Sequence, residues 1–202
     1  MLIPPIGASH MPHSAIRRRI TFAVSTALLA LSAAPAAHAA TASEVVSGGS
    51  LNFISGTPTD VTFPAATLNG LDLVRSQTQA FDVNDSSGSN SGWSITATST
   101  RFTAGTHFLS LTAATILAPP ADVCDAASTC TLATNSVSYP YVLPAGVTAP
   151  TATKMFNAAA GTGQGSQTIT PTWNLALPAG TWAGGAGTPY TATWTFTLVS
   201  GP

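Results

Sequence analysis

Few side chains in this sequence can move a proton or attack a bond. Beyond residue 39 the only histidine is His107, and the only lysine anywhere is Lys154. A hydrolase of the serine or cysteine type needs a nucleophile next to a base, and no spacing here supplies that set. No GxSxG occurs, because GSNSG at Gly88 to Gly92 puts Asn90 in the middle. GTGQG at Gly161 to Gly165 lacks the GxGxxG spacing and has no βαβ context, so it reads as a flexible turn. The acids are spread along the chain, and a paired-carboxylate glycosidase would depend on the fold bringing two of them together. Asp82 to Gly88, DVNDSSG, looks a little like a calcium loop. Its glycine comes one place late and Trp93 stands where glutamate is needed, so an Asx-rich hairpin loop is the better reading. The sequence is therefore expected to hold no catalytic residue, metal or cofactor.

Cys124 and Cys130, in DVCDAASTCTL, are the only cysteines. In an oxidising compartment such a near pair reads as one structural disulfide. It would restrict the unfolded chain by about 2 kcal/mol. The spacing is not CxxC and His107 is far off, which argues against a redox pair or a metal site.

The tryptophans are more informative. Trp93, Trp173 and Trp194 sit within alternating apolar and polar stretches, so they are expected to face a core. Trp182 lies in the glycine-rich PAGTWAGGAGTP. Two readings of it stay open: an exposed ring that stacks on a sugar, or a ring folded back over the end of the domain.

These residues need strands to position them. Candidates are Leu51 to Phe53, Val61 to Phe63, Phe81 to Val83, Trp93 to Thr98, Phe108 to Leu111, Val137 to Leu143, Ile169 to Leu177 and Tyr190 to Leu198. Pro140 places its strand at an edge or bulge, and Pro171 argues that Ile169 to Leu177 is an edge strand, because proline cannot donate to a ladder. No window makes a convincing helix; Phe156 to Ala160 comes nearest. The fold class is all-β: a single antiparallel β-sandwich or Greek-key barrel.

Export is written at the front. Arg17 to Arg19 precede an apolar run from Ile20 to Leu31, and Ala37-His38-Ala39 supplies small residues. This is a secretory signal over residues 1–39, cleaved between Ala39 and Ala40, with Met11 a reasonable true start. The residues after the arginines fit a twin-arginine motif poorly, so the general secretory route is favoured. The domain is then residues 40–202. The remaining chain has no apolar segment long enough to span a membrane. It keeps three bases, Arg75, Arg101 and Lys154, against all seven acids, so a formal charge of −1 becomes −4. Nucleic acid is excluded as a partner, because three scattered bases cannot neutralise a phosphate backbone. Charged residues are 6% of the chain, where roughly a quarter is usual, so hydroxyl and amide groups must wet the surface.

GWSIT at Gly92 to Thr96, TPTWNLALPAG at Thr170 to Gly180 and YTATWTFTLVSGP at Tyr190 to Pro202 together resemble the WxL domain of Gram-positive surface proteins. The resemblance runs from about Leu51 to the end. The family is named for two Trp-x-Leu motifs. Here the positions that match them are Trp93 and Ile95; Trp173 and Leu175; and, in the last strand, either Trp194 and Phe196 or Phe196 and Leu198. Isoleucine and phenylalanine at these places mark a divergent member, of actinobacterial type. The resemblance implies a secreted domain held non-covalently on the cell wall, with peptidoglycan or another wall glycan as partner and other surface proteins as neighbours. The competing reading is a structural subunit, pilin-like or of a surface layer, that assembles through strand edges.

Overall fold

Threonine-spaced hydrophobes and frequent Gly, Pro and Ser breaks give short strands throughout. The structure is a computed structural model and describes residues 41–202. The signal segment, Met11 and the cleavage point at Ala39–Ala40 lie outside the described residues. The strands are β1 (Leu51–Phe53), β2 (Leu73–Thr78), β3 (Phe81–Asp85), β4 (Trp93–Thr100), β5 (Thr103–Ala104), β6 (His107–Phe108) and β7 (Ala114–Ile116). They continue with β8 (Ala121–Cys124), β9 (Tyr141–Val142), β10 (Ala145–Gly146), β11 (Thr153–Ala158), β12 (Gly165–Thr170), β13 (Thr172–Leu177) and β14 (Trp194–Ser200). No helix occurs among the described residues.

Two antiparallel sheets, ordered β1-β3-β12-β8 and β2-β13-β7-β9, are continuous with one another. β2 runs into β3 through Gln79 and Ala80, β12 into β13 through Pro171, and β7 into β8 through residues 117–120. Three neighbouring strands thus bend together and make one creased sheet. A third sheet faces it. There β4 is central, β14 runs along one side of it, and β11 and then β10 share the other. Only the β10–β4 pair is parallel. The hairpin of β5 and β6 extends past the end of β4.

The core lies between these layers. Trp93, Trp173, Phe81, Phe156, Ile95, Ile116 and Ile169 are fully buried. From β14, Phe196 meets Phe81 edge-on at 4.8 Å between ring centroids, and Trp194 meets Trp173 at 4.7 Å. Each such pair adds about 1 kcal/mol to the burial of its rings. Both large buried indoles have partners: Trp93 Nε1 donates to the Gly163 carbonyl at 2.9 Å, and Trp173 Nε1 donates to Gln79 Oε1 at 2.9 Å. The turn read at Gly161 to Gly165 therefore has a structural task. The Cys124–Cys130 disulfide is formed, with Cα atoms 5.6 Å apart.

Several expectations need correction. Ile169 to Leu177 is not one edge strand. It is two strands, each inside its sheet: β12 between β3 and β8, and β13 between β2 and β7. Pro171 is buried at the crease, where no ladder donor is required, and its carbonyl accepts the Gln79 N–H at 3.2 Å. Val61 and Phe63 pack against the core without joining a sheet. Of Phe108 to Leu111 only Phe108 is in a strand, together with His107 before it, and of Val137 to Leu143 only Tyr141–Val142; β9 is an edge, as Pro140 suggested. The last strand starts at Trp194, with Thr191 making a single bridge to Thr103 before it. Phe156 to Ala158, in the segment nearest to a helix, belong to β11. β2, β5, β7, β8, β10 and β11 went unforeseen.

Gln79 holds the crease at three points. Its backbone meets Pro171, its Oε1 takes the Trp173 indole, and its Nε2 donates to the Thr59 carbonyl at 2.7 Å. Removing the amide strands a buried donor and a carbonyl. Gln79→Leu is expected to lower the free energy of unfolding by about 2 kcal/mol, read from the urea midpoint at unchanged slope. A loss below about 0.5 kcal/mol would contradict this role.

Candidate functional site

The residues that match the family motif lie mostly inside. Trp93, Ile95 and Trp173 are fully buried and Leu175 nearly so. Trp194, Phe196 and Leu198 are half-buried and pack against the core cluster. The cause is the strand period: residues two apart share a face, so Trp-x-hydrophobe delivers both side chains inward. The middle residue takes the opposite face: Asn174 accepts there from Ser76 Oγ at 2.7 Å, while Ser94 is covered and buried as well. In this fold these side chains hold the layers together and leave outside contacts to others.

Trp182 is different. It is 40% exposed and stacks on His107, with centroids 4.3 Å apart and planes 7° from parallel. Gly184 sits against the ring edge, where a Cβ would collide with it. Tyr190 donates its hydroxyl to the Trp182 carbonyl at 3.2 Å. The ring is thus both exposed and fixed, and the two readings of it each capture one part: it does fold back, onto the hairpin, and still shows a large surface.

The same hairpin carries Phe108, 57% exposed, and alternation sends it to the face opposite His107. The Arg101 guanidinium lies over the Phe108 ring at 3.9 Å from its centroid. A cleft of about 350 Å³ opens on one side of Arg101, lined by Thr100, Thr103, Thr191, Thr193 and Val147. A second, of about 360 Å³, is lined by Phe108, Leu109, Ser110, Leu111 and Val147 together with Arg101. Sequence reasoning missed Arg101, Phe108 and Val147. The available signal was a lone base followed by phenylalanine just before a Gly-Thr turn; Gly105 there has φ of 58°.

The fold does bring two carboxylates together. Asp82 on β3 and Asp125 after β8 flank β12. Asp125 accepts from Ser166 Oγ at 2.5 Å and from Thr168 Oγ1 at 2.7 Å. Burial works to raise its carboxyl, but hydrogen bonds from Ser166, Thr168 and Asp82 outweigh that and hold it below the usual range. Burial, and then the Asp125 charge, push Asp82 up. Neither acid lines the two clefts. In the calcium-like loop, Asp85 Oδ1 accepts from Ser87 N at 3.1 Å and Ser87 Oγ at 2.6 Å, which makes an Asx turn. Among the described residues no group of three acids, histidines or cysteines is placed to hold a metal ion.

Residues 44–202 match the family model of the WxL domain, described as a surface cell wall-binding domain. No curated protein and no solved structure matches the chain.

Asp122 supplies a pH test. Its Oδ2 accepts the Ala133 N–H at 2.7 Å, while its Oδ1 is buried without a partner among the described residues. Burial raises its carboxyl above the ordinary 3.8, against the Ala133 hydrogen bond. A raised carboxyl contributes stability fully below the unfolded value and loses it as pH rises through the folded one. Asp122→Asn should therefore gain thermal midpoint relative to wild type as pH goes from about 4 to about 7. A difference that stays constant over that range would contradict the burial cost.

Proposed function

The chain belongs to the WxL domain family, and we propose, on that premise, that it is an exported protein held on peptidoglycan without a covalent link. The family itself establishes a surface protein whose domain binds the cell wall. Peptidoglycan as the polymer and the non-covalent hold are the further steps. The observation that carries them is Trp182: an indole 40% exposed, already fixed by its stack on His107. A fixed aromatic face loses little conformational freedom when it meets a sugar ring, so most of the contact energy appears as affinity. The scarcity of charge fits a neutral polymer grip by stacking and hydroxyl hydrogen bonds. The signal pattern at residues 1–39 supports delivery to the outside.

We read the domain as a binding module and not an enzyme. Its one histidine is stacked on Trp182, and Asp82 and Asp125 lie outside both clefts. One observation favours the second reading, assembly through strand edges. β14 pairs with β4 along one side only, over seven residues in register. The backbone on its other side pairs with no strand among the described residues.

Purified protein is expected to sediment with isolated cell walls, and the bound fraction should hardly change between about 0.1 M and 1 M salt. Trp182→Ala should weaken binding about tenfold with little change in thermal midpoint. Wild-type protein that stays in the supernatant would contradict wall attachment. Concentration-dependent oligomers formed in the absence of walls would favour edge assembly instead.

A further inference from the structure

We propose that the two clefts flanking Arg101 receive the carboxyl end of a short peptide with methyl-sized side chains, the chemistry carried by uncrosslinked, alanine-ended stem peptides of the wall. The inference rests on the wall-binding reading and names a ligand group within it. Of the three bases in residues 40–202, Arg75 is engaged with the Ala65 and Val74 carbonyls, at 3.2 Å and 3.3 Å. Lys154 is exposed near the start of β11 and lines neither cleft. Arg101 alone lines them. No carboxylate pairs with its guanidinium among the described residues; the Phe108 ring supports it instead. A guanidinium held over an aromatic ring still has N–H groups along its edge to donate, and no side-chain hydrogen bond from Arg101 uses them among the described residues. That edge matches a carboxylate with two parallel hydrogen bonds.

The surroundings select further. On one side four threonines join Val147 and Ala192; Thr103 Oγ1 already donates to the Arg101 carbonyl and Thr100 Oγ1 accepts the Thr193 N–H, which leaves the Thr191 and Thr193 hydroxyls to meet peptide N–H and C=O groups. On the other side Leu109, Leu111 and Val147 form a shallow apolar wall suited to a methyl group. Each cleft, at about 350 or 360 Å³, is at the small end of ligand sites. A polyphosphate would ask for several bases where only one is present. The floor is held by backbone bonds: Arg101 N to the Gly146 carbonyl at 2.7 Å, and reciprocal bonds between Thr103 and Thr191 at 2.9 Å and 3.0 Å.

The test is calorimetric titration of the purified protein with diacetyl-Lys-D-Ala-D-Ala, its carboxamide, and inorganic phosphate. The acid should bind, the carboxamide about tenfold more weakly, and phosphate should not displace the acid. Arg101→Gln should weaken the acid about tenfold and leave the carboxamide unchanged; Arg101→Lys should restore part of the loss. The thermal midpoint of each variant reports folding. Equal binding of acid and carboxamide, displacement by phosphate, or an indifferent Arg101→Gln protein would each overturn the inference. Wall sedimentation separates the two levels. If wild type and Arg101→Gln sediment alike and the acid does not bind, the carboxylate site falls while wall attachment stands. If wild type binds the acid but does not sediment, wall attachment falls while the site stands.

Discussion

The two fully buried indoles, Trp93 and Trp173, each have an acceptor for the N–H, whereas Trp194 Nε1 is buried with no partner among the described residues, and the crease of the domain depends on the Trp173 bond. Trp173 sits where the creased sheet turns, and Gln79 meets its N–H. The same glutamine ties the strand on one side of the crease to Pro171 on the other and reaches back to Thr59. Trp173 then faces Trp194 across the layers, and Trp194 neighbours Phe63 and Phe102. Burial of one such ring contributes roughly 3 kcal/mol, a sizeable share of a marginally stable domain. The tryptophans that give the family its name therefore read as the brace between sheets.

With the core occupied by aromatic rings and charge sparse along the sequence, the proposed recognition surface lies outside that core. That is a short hairpin at the end of β4. One face of it presents His107 to Trp182, and the other presents Phe108 to Arg101. A domain that carries a net charge of −4 over residues 40–202 repels polyanions in general, yet one uncommitted guanidinium in a neutral surround still attracts a single carboxylate. The two proposals, stacking for sugar and a fork for a peptide end, would address complementary parts of one wall fragment.

Sequence showed the strand class well and the topology poorly. Strict alternation over Trp173 to Leu177 and Trp194 to Leu198 gave inward and outward faces correctly, because the strand period is two in any sheet. The disulfide followed from compartment and spacing alone. Pro171 misled, because a proline denies a donor to a ladder but says nothing about a crease between two ladders. β11, TKMFNA, was hidden because its register shifts between Lys154 and Phe156 and breaks the alternation, and because it runs directly into Ala158 to Ala160. The recognition surface was half legible. Trp182 stood out in its glycine-rich turn, but its stack on His107 joins positions far apart in the chain. The Arg101–Phe108 contact arises from a two-residue turn that no periodicity marks.

The division between tryptophans that build and a tryptophan that touches is open to one direct measurement: the four indole N–H signals of Trp-labelled protein, assigned by single Trp→Phe variants and followed as soluble wall fragments are added. A brace inside and a contact at the rim require the Trp182 signal to move, while Trp93 and Trp173 stay in place and exchange slowly with solvent. Movement of Trp93 or Trp173 with Trp182 unchanged, or fast exchange of either buried indole, would contradict it.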